Sequence, residues 1–247
     1  MRSKKDNTIV FGRQAVYNLL DSGATIERIF VQAGLRGEIL DDIHALAKQK
    51  LIHLQSVPMV KLNRLTPGTH QGVVAIRSLI HYYDINDIMM QAYERGESPL
   101  FILTDGVTDV RNLGAIARSA ECFGVHALIH PYEESAQINS ITIETSAGAL
   151  NHIHVCRVQQ ANDAVRFLQH NGIKILCATE DAADSIKEMD FKTPCCIVMG
   201  AEDVGISKKI MKTADHLFKI PMTGKTGSFN VSVAAGIILY EVFSQRF

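Results

Sequence analysis

Gly200-Ala-Glu-Asp-Val-Gly205 follows the apolar run Cys195–Met199, which we predict to be a buried strand. Two other polar segments that contain glycine also lie where a strand-like run ends and a helix-like run begins or follows. They are Asn112-Leu-Gly-Ala-Ile-Ala-Arg118 and Ile220-Pro-Met-Thr-Gly-Lys-Thr-Gly-Ser-Phe-Asn-Val-Ser232. Open α/β sheets place their ligand sites at such positions. Three loops of this kind in one small domain predict a single composite pocket.

The strand-like runs from Leu100 onward are continuously apolar rather than alternating between apolar and polar residues. Strands that helices cover on both faces have this pattern, so we predict an α/β domain with a parallel sheet. The predicted strands are 101–103, 127–129, 173–178, 195–199 and 217–220. Residues 231–243 predict a final helix that is too apolar to be solvated. We expect this helix to lie in the core or in a contact between subunits.

Residues 1–76 alternate strand and helix signals and predict a smaller α/β unit in front of that domain. The predicted elements are helix 13–21, strand 26–32, helix 38–50, strand 52–57, a helix from Pro58 to Arg64, and strand 73–76. Residues 77–98 are less regular and predict a linker that contains one helix. The predicted organisation is therefore 1–76, a linker 77–98, and 99–247.

Composition and charge restrict the class of protein. The chain has 247 residues, 47% of them hydrophobic and 21% charged, which is typical of a globular protein. No stretch approaches the ~20 apolar residues of a membrane span, and the first residues lack the apolar core of a signal peptide. We therefore expect a cytoplasmic protein with no membrane partner.

The charge is unevenly divided along the chain. Residues 1–80 hold 11 Lys+Arg against 6 Asp+Glu, whereas the remainder holds 14 against 20. A basic front part suits a polyanionic partner, and it suits an ordinary solvated surface equally well. The five cysteines form no CxxC pair, and no His/Cys cluster has the ligand spacing of a zinc site. Buried, reduced thiols and no metal site are therefore expected.

Each polar loop has a structural interpretation beside the functional one. Asn112 suits the N-cap of a helix, and Arg118 must find a carboxylate, a phosphate or water, because a guanidinium has no acceptor. Glu202, which closely follows a buried strand, predicts a carboxylate that pairs with a cation or orients a polar ligand, and a plain turn is the alternative. Ser228 and Asn230 are expected to offer hydrogen bonds at the head of the last helix.

Two nucleotide-binding interpretations are excluded by spacing. Gly224-Lys225-Thr226 resembles a fragment of a Walker A motif, but that motif needs glycine where this chain has Lys219. Gly200 and Gly205 are five residues apart and do not form the GxGxxG fingerprint of dinucleotide-binding proteins. Neither nucleotide hydrolysis nor a nicotinamide-dependent oxidoreductase is predicted.

Taken together, the three segments resemble the motifs of the SpoU-type branch of the SPOUT RNA methyltransferases. Segment 112–118 is similar to the first motif of that family, 200–205 to the second, and Ile220-Pro-Met with Ser228-Phe-Asn-Val-Ser-Val to the third. Residues 1–76, which contain His70-Gln-Gly-Val-Val-Ala, resemble its ribosomal-protein-like substrate domain. Within the family the likeness is greatest to RlmB-type enzymes, which methylate a guanosine ribose 2′-oxygen in 23S rRNA.

The resemblance implies a cofactor, partners and a set of binding residues. The cofactor is S-adenosylmethionine, held in a deep trefoil knot, and the partners are 23S rRNA or a large-subunit precursor and a second copy of the chain through the C-terminal domain. The implied cofactor-binding residues are Met199, Gly200, Gly205, Ile220, Met222 and Phe229. The family usually has Leu at the position of Phe229 and often has Gly at that of Asp203. The larger Phe229 is expected to alter the wall of the adenine pocket.

The implied reaction is in-line transfer of a methyl group from a sulfonium to a ribose 2′-hydroxyl. Arg118 is expected to stabilise the developing alkoxide or to clamp a phosphate, and Glu202 and Asn112 to orient it. Ser228 and Asn230 are expected to complete the substrate side of the pocket. A tRNA ribose methyltransferase is the main alternative, and a catalytically silent RNA-binding assembly factor is the second.

Overall fold

The computed structural model describes residues 8–50, 52–133 and 135–247, and the chain divides into two compact units between His81 and Tyr82. Residues 1–7, at the start of the predicted first domain, lie outside the described residues. Each unit contains its own sheet and its own hydrophobic core.

The first unit is a four-stranded mixed sheet in the order β1-β4-β2-β3. Its elements are β1 (Ile9–Phe11), α1 (Arg13–Asp21), β2 (Ile26–Gln32), α2 (Glu38–Gln49), β3 (His53–Val57), α3 (Met59–Leu65) and β4 (Val73–Arg77). Strands β2 and β3 are parallel, whereas β4 is antiparallel to both of its neighbours. Helices α1 and α2 bury their apolar faces on one side of the sheet, and Leu62 of α3 packs against Phe30 on the other. Helix α1 has the bounds predicted from the sequence.

The second unit is a seven-stranded sheet within the described residues, in the order β7-β6-β5-β10-β8-β11-β9. Its strands are β5 (Leu100–Asp105), β6 (Ala127–Pro131), β7 (His154–Val158), β8 (Lys174–Ala178), β9 (Asp184–Ser185), β10 (Cys195–Gly200) and β11 (His216–Lys219). Its helices are α4 (Ile85–Glu94), α5 (Val110–Cys122), α6 (Ser140–Thr145), α7 (Ala161–His170), α8 (Lys208–Thr213) and α9 (Val231–Arg246). Every neighbouring pair of strands is parallel, which confirms the predicted α/β fold with a parallel sheet.

Both faces of the second sheet are covered. Phe101 and Leu103 of β5 pack in one cluster with residues of α4, α7 and α8, while Leu100 and Ile102 are equally buried on the opposite face. Burial on both faces explains why these strands are apolar without alternation. Among the described helices, none combines the length and the apolar character that crossing a bilayer requires.

The segment predicted as a linker contributes to the second unit. Tyr83 donates its N–H to the carbonyl of Val155 at 2.9 Å, and so joins the edge of the sheet. The carboxylate of Asp84 caps α4 by accepting from the N–H of Asn86 at 2.8 Å. Because α4 then buries one face in the core, the division of the chain falls at residues 81 and 82 rather than at 76 and 99.

Further elements differ from the sequence prediction, which contains neither the strands β1, β7 and β9 nor the helices α6, α7 and α8. Strand β7 is absent from the predicted set, because His-Val-Cys-Arg-Val is short and half polar, as suits an edge strand. Helix α9 continues beyond the predicted residue 243 to Arg246. The Arg246 guanidinium donates to the carbonyls of Phe191 at 2.7 Å and Ser98 at 2.6 Å, which holds the last turn against the sheet.

Candidate active site

A cavity of about 240 Å³ lies in the second unit at the carboxyl ends of β8 and β10. Parallel strands bring their carboxyl ends to one edge of the sheet, where open α/β folds bind ligands. Four stretches of chain and two helices line it, with residues 178–181, residues 199–206, Ile220 and Met222, Ser228 and Phe229, Met211 of α8, and Val231 and Ala234 of α9. The second and third polar loops therefore meet at one cavity, and the first loop does not line it.

The loop after β10 is a tight closed turn. The Ala201 N–H donates to the Gly205 carbonyl at 3.1 Å, and the Gly205 N–H donates back to the Ala201 carbonyl at 2.9 Å. A Cβ on Gly200 would lie 2.3 Å from the main-chain carbon of Gly205 and 2.3 Å from the nitrogen of Ile206. Only glycine fits at position 200, because any side chain there would overlap the main chain of the turn.

Asn230 joins all three polar loops. Its side-chain oxygen caps α9 by accepting from the N–H of Ser232 at 3.0 Å and from the Ser232 hydroxyl at 2.6 Å. Since the oxygen is used in this way, the amide nitrogen faces acceptors. It donates to Oδ1 of Asn112 at 3.1 Å and to Oε1 of Glu202. The first loop is thereby fixed beside the cavity by a single side chain.

The sequence predicts Asn112 as the N-cap of α5, and the structure shows that this prediction is wrong. The cap is Asp109, whose Oδ1 accepts from the N–H groups of Arg111 at 2.7 Å and Asn112 at 3.0 Å. These two hydrogen bonds hold the pKa of the Asp109 carboxyl below its usual value, and the one from Asn112 has the larger effect. With the cap supplied three residues earlier, the Asn112 side chain is free to accept from Asn230.

Small residues bring α5 close to its neighbour. A Cβ on Gly114 would lie 2.6 Å from the carbonyl oxygen of Thr142 in α6. This contact confirms the close helix packing expected from the small residues of the first loop. Close packing against α6 also fixes the position of α5, the helix that carries Asn112.

Arg118 is not brought to the cluster of Asn112, Glu202 and Asn230. It lies six residues beyond Asn112 on α5, about 9 Å along the helix axis and on another face. Its side chain is exposed and makes no hydrogen bond or ion pair within the parts of the chain that the structure describes. Within the described residues Arg118 makes no hydrogen bond or ion pair with Asn112 or Glu202, which Asn230 holds instead, and their expected role in orienting Arg118 stays a prediction.

The residues predicted to bind a cofactor all line the cavity. They are Met199, Gly200, Gly205, Ile220, Met222 and Phe229, and Glu202 and Ser228 of the predicted catalytic set line it with them. Apolar side chains and glycine main chain thus form much of the wall. This suits a flat, partly apolar group such as a nucleoside.

Sequence reasoning missed the segment after β8, which is Thr179-Glu180-Asp181. These residues line the same cavity, and Glu180 and Asp181 are exposed. The signal was present, because β8 was predicted and its carboxyl end had to lie at the same edge as that of β10. With Glu202 and Asp203 the lining holds four carboxylates and no Lys, Arg or His, so the cavity attracts cations.

The buried thiol nearest to the cavity in sequence is not a nucleophile. Cys177 immediately precedes the lining residue Ala178 and is fully buried in β8. Burial raises the pKa of its thiol to about 12, so the reactive thiolate is not formed at neutral pH. The prediction of buried cysteines is confirmed at four of the five positions, whereas Cys122 is exposed.

Residues 99–240 match the SpoU rRNA methylase family, and residues 9–83 match the family of RNA 2′-O-ribose methyltransferase substrate-binding domains. A Bacillus subtilis protein named as a TrmH-family tRNA/rRNA methyltransferase is 32% identical over 237 residues, which is 96% of this chain and 95% of that protein. A Staphylococcus haemolyticus protein of the same name is 33% identical over 98% of this chain and 97% of its own length.

Solved structures have the same fold. The SpoU methyltransferase AviRb from Streptomyces viridochromogenes superposes with a TM-score of 0.62 at 24% identity, covering 97% of this chain and 89% of that one. An AdoMet-bound rRNA methyltransferase from Sinorhizobium meliloti gives a TM-score of 0.63 at 23% identity, covering 97% and 88%. Together with the family matches over both units, these likenesses show that the chain belongs to the SpoU family of RNA 2′-O-ribose methyltransferases.

Proposed function

We propose that this protein transfers the methyl group of S-adenosylmethionine to the ribose 2′-oxygen of a guanosine in 23S rRNA. The observation that carries this proposal is the amide of Asn230, which joins Asn112 of the first motif to Glu202 of the second beside the cavity. A polar cluster built from all three motifs at the mouth of a nucleoside-sized cavity is what alignment of a cofactor with a second substrate requires.

The cavity fits S-adenosylmethionine chemically. Met199, Ile220 and Phe229 offer apolar walls for an adenine ring, and the main chain around Gly200 allows close approach. The carboxylates of Glu180 and Asp181 complement the positive charge of a sulfonium and an amino group. These residues are the ones that would hold the cofactor.

Once bound, S-adenosylmethionine supplies a methyl group on a cationic sulfonium, which is already a good leaving group. The protein must then align and deprotonate a ribose hydroxyl, and holding both reactants in line contributes up to about 7–11 kcal/mol in the best cases. Asn230 fixes Glu202 and Asn112, and Ser228 lies on the exposed side of the cavity. Arg118, exposed and unpaired within the described residues, is available to a phosphate or to the developing alkoxide of bound RNA.

The preference for rRNA over tRNA is supported by the separate front unit. That unit carries the substrate-binding match and the excess of basic residues, and it is suited to hold a folded RNA through its phosphates. In the family resemblance, tRNA enzymes have short basic terminal helices in its place. The curated relatives are named for both tRNA and rRNA, so the two substrates need to be compared directly.

The deciding experiment offers labelled S-adenosylmethionine with unmodified large-subunit rRNA and with bulk tRNA, followed by nuclease mapping. We expect label in rRNA as 2′-O-methylguanosine. Label in tRNA alone would support the proposed methyl transfer and overturn rRNA as the substrate. No label in either RNA or in a large-subunit precursor, with no cofactor binding, would overturn the enzyme assignment and favour an assembly factor.

A homodimer through the second unit is part of the proposal. Helix α9 exposes Val233, Ile237 and Tyr240 on one face at intervals of four and three residues, and Tyr240 is 62% exposed. We expect this apolar stripe to pack against a second copy of the chain. Sedimentation of Tyr240→Glu should show a shift from dimer to monomer, and an unchanged dimer would contradict this interface. A cytoplasmic location and a deep trefoil knot stay predictions.

A further inference from the structure

A second cavity lies in the first unit, at one end of its sheet. It has a volume of about 690 Å³, within the range of about 300–1,000 Å³ usual for ligand pockets. The register of the sheet places the end of β1, the end of β2, the start of α3 and the start of β4 at this same end. The lining residues are Arg13, Gln32, Leu35, Met59, Asn63 and 68–72.

The loop that closes this cavity is rigidly held by a buried histidine. The Nδ1 of His70 accepts from the N–H of Gly72 at 3.0 Å, so its Nε2 donates to Oδ1 of Asn63 at 2.8 Å. His70 is only 5% exposed, and both of its ring nitrogens are used. The histidine therefore fixes the loop from inside rather than serving as a group that contacts a ligand.

Gln71 stands at the centre of the loop in a strained conformation. Its φ of 51° lies in the left-handed region that residues other than glycine rarely adopt. Arg13 holds it there, since the Arg13 main-chain N–H donates to Oε1 of Gln71 at 3.2 Å and its Nε donates to the Gln71 carbonyl at 3.1 Å. Strain of this kind persists where the surroundings impose it, and it clusters at ligand sites.

Several of the polar groups that line the cavity are donors, beside the amide of Gln32 and the hydroxyl of Thr69, which can donate or accept. The side-chain oxygens of Asn63 and Gln71 are used within the protein, which leaves their NH₂ groups. The terminal nitrogens of Arg13 add further donors and a positive charge, and no residue that lines the cavity carries a carboxylate. Leu35 and Met59, the latter 52% exposed, supply apolar surface beside these donors. A ligand that fits is anionic, rich in acceptors and partly flat.

We propose that this cavity binds one unpaired nucleotide of the RNA substrate. The Arg13 guanidinium takes the phosphate, the base lies on Met59 and Leu35, and the amides of Asn63 and Gln71 donate to its carbonyl oxygens. The inference rests on the proposed function and locates, within the matched substrate-binding domain, the point at which single-stranded RNA is distinguished from duplex. The further basic side chains Lys61 and Arg64 lie on α3, the helix that carries Met59 and Asn63.

The test measures binding of the full-length protein to a hairpin RNA with an unpaired loop and to a blunt duplex of the same stem. The variants are Arg13→Gln and Met59→Ala, and the matched control is Lys48→Gln. Lys48 is an exposed residue near the end of α2, which leads into β3 at the opposite end of the sheet. Because Met59 is half exposed, Met59→Ala tests the cavity even if the arginine variant folds poorly.

We expect Arg13→Gln to weaken hairpin binding by about tenfold and to lower its salt slope by about one, as loss of one phosphate contact does. Met59→Ala should weaken it by about threefold. Neither variant should change duplex binding, and Lys48→Gln should change both RNAs alike. A 4-thiouridine in the hairpin loop should crosslink to the peptide that contains Met59.

Three outcomes would overturn the proposal. If both cavity variants bind the hairpin as the wild type does, while the wild type still methylates rRNA, the site is wrong and the function stands. If poly-glutamate displaces the hairpin from the wild type but not from Arg13→Gln, the cavity takes acidic peptides. If the wild type neither binds RNA nor transfers methyl groups, the proposed function fails together with the site.

Discussion

Replacing Gly200 with alanine tests whether the shape of the loop after β10 makes the cofactor site. The added Cβ would lie 2.3 Å from the main-chain carbon of Gly205 and from the nitrogen of Ile206. These are main-chain atoms that no side-chain rotation can move away. The overlap is relieved only if the turn between Ala201 and Gly205 opens and loses its two hydrogen bonds.

The cost follows from that geometry. Two hydrogen bonds at about 1 kcal/mol each, together with the strain of overpacking, give about 3 kcal/mol in favour of the open loop. Because the turn forms a wall of the cavity, that free energy is subtracted from cofactor binding, which corresponds to a rise of about 100-fold in Kd. The loss of the two hydrogen bonds also lowers the free energy of unfolding by about 2 kcal/mol, so the unfolding temperature should fall by about 4–8 °C.

Calorimetric titration with S-adenosylmethionine measures the Kd directly. Gly224→Ala is the matched control, because a Cβ there meets no atom within 4 Å and it lies in the third loop. This control should bind the cofactor as the wild type does. A Gly200→Ala protein that binds within threefold of the wild type would refute the argument that main-chain closeness at this turn shapes the site.

Three other predictions rest on different contacts. Asn230→Asp keeps the cap of α9 but turns a carboxylate oxygen toward the carboxylate of Glu202, so the affinity for the cofactor should fall. Adding Glu202→Gln should restore part of that affinity, and a double variant with no gain would contradict the contact. Neutralising Glu180 and Asp181 should weaken binding of cationic S-adenosylmethionine and leave neutral S-adenosylhomocysteine unchanged in parallel titrations, whereas equal losses would exclude a charge effect. Burial lowers the pKa of His130 from 6.5 to about 4, so the unfolded chain takes up the proton first; stability should fall by about 3 kcal/mol as pH decreases from 6.5 toward 4. Denaturant titrations should show this slope flattened in His130→Gln, and an unchanged slope would assign it to other groups.

Sequence patterns predicted the fold where one physical cause dominates. Helix α2 was predicted to within one residue of its observed bounds because its buried residues recur with the helical period. The strands at the centre of the second sheet were predicted because burial on both faces makes them uniformly apolar. Strand β7 was not, because it is only five residues long and includes the polar residues His154 and Arg157, which leaves too short an apolar run to indicate a strand.

The sequence predicted which residues line the candidate site better than it predicted which of them form hydrogen bonds with one another. The glycines and apolar residues of the second and third loops line the cavity as expected. The partner of Glu202 was not predictable, because it depends on Asn230, whose double use as cap and donor is visible only in three dimensions. The N-cap of α5 was predicted at Asn112, whereas the helix begins about one turn earlier and is capped by the carboxylate of Asp109.

The position of Asn230 near the end of the chain also has a consequence for synthesis of the protein. Domains fold as units in the order in which they leave the ribosome. The first unit is complete at about residue 81, when the side chain that joins Asn112 to Glu202 has not yet been made. A nascent chain can therefore have a finished RNA-binding unit long before it has a site for methyl transfer, and any RNA it meets during that interval leaves unmodified.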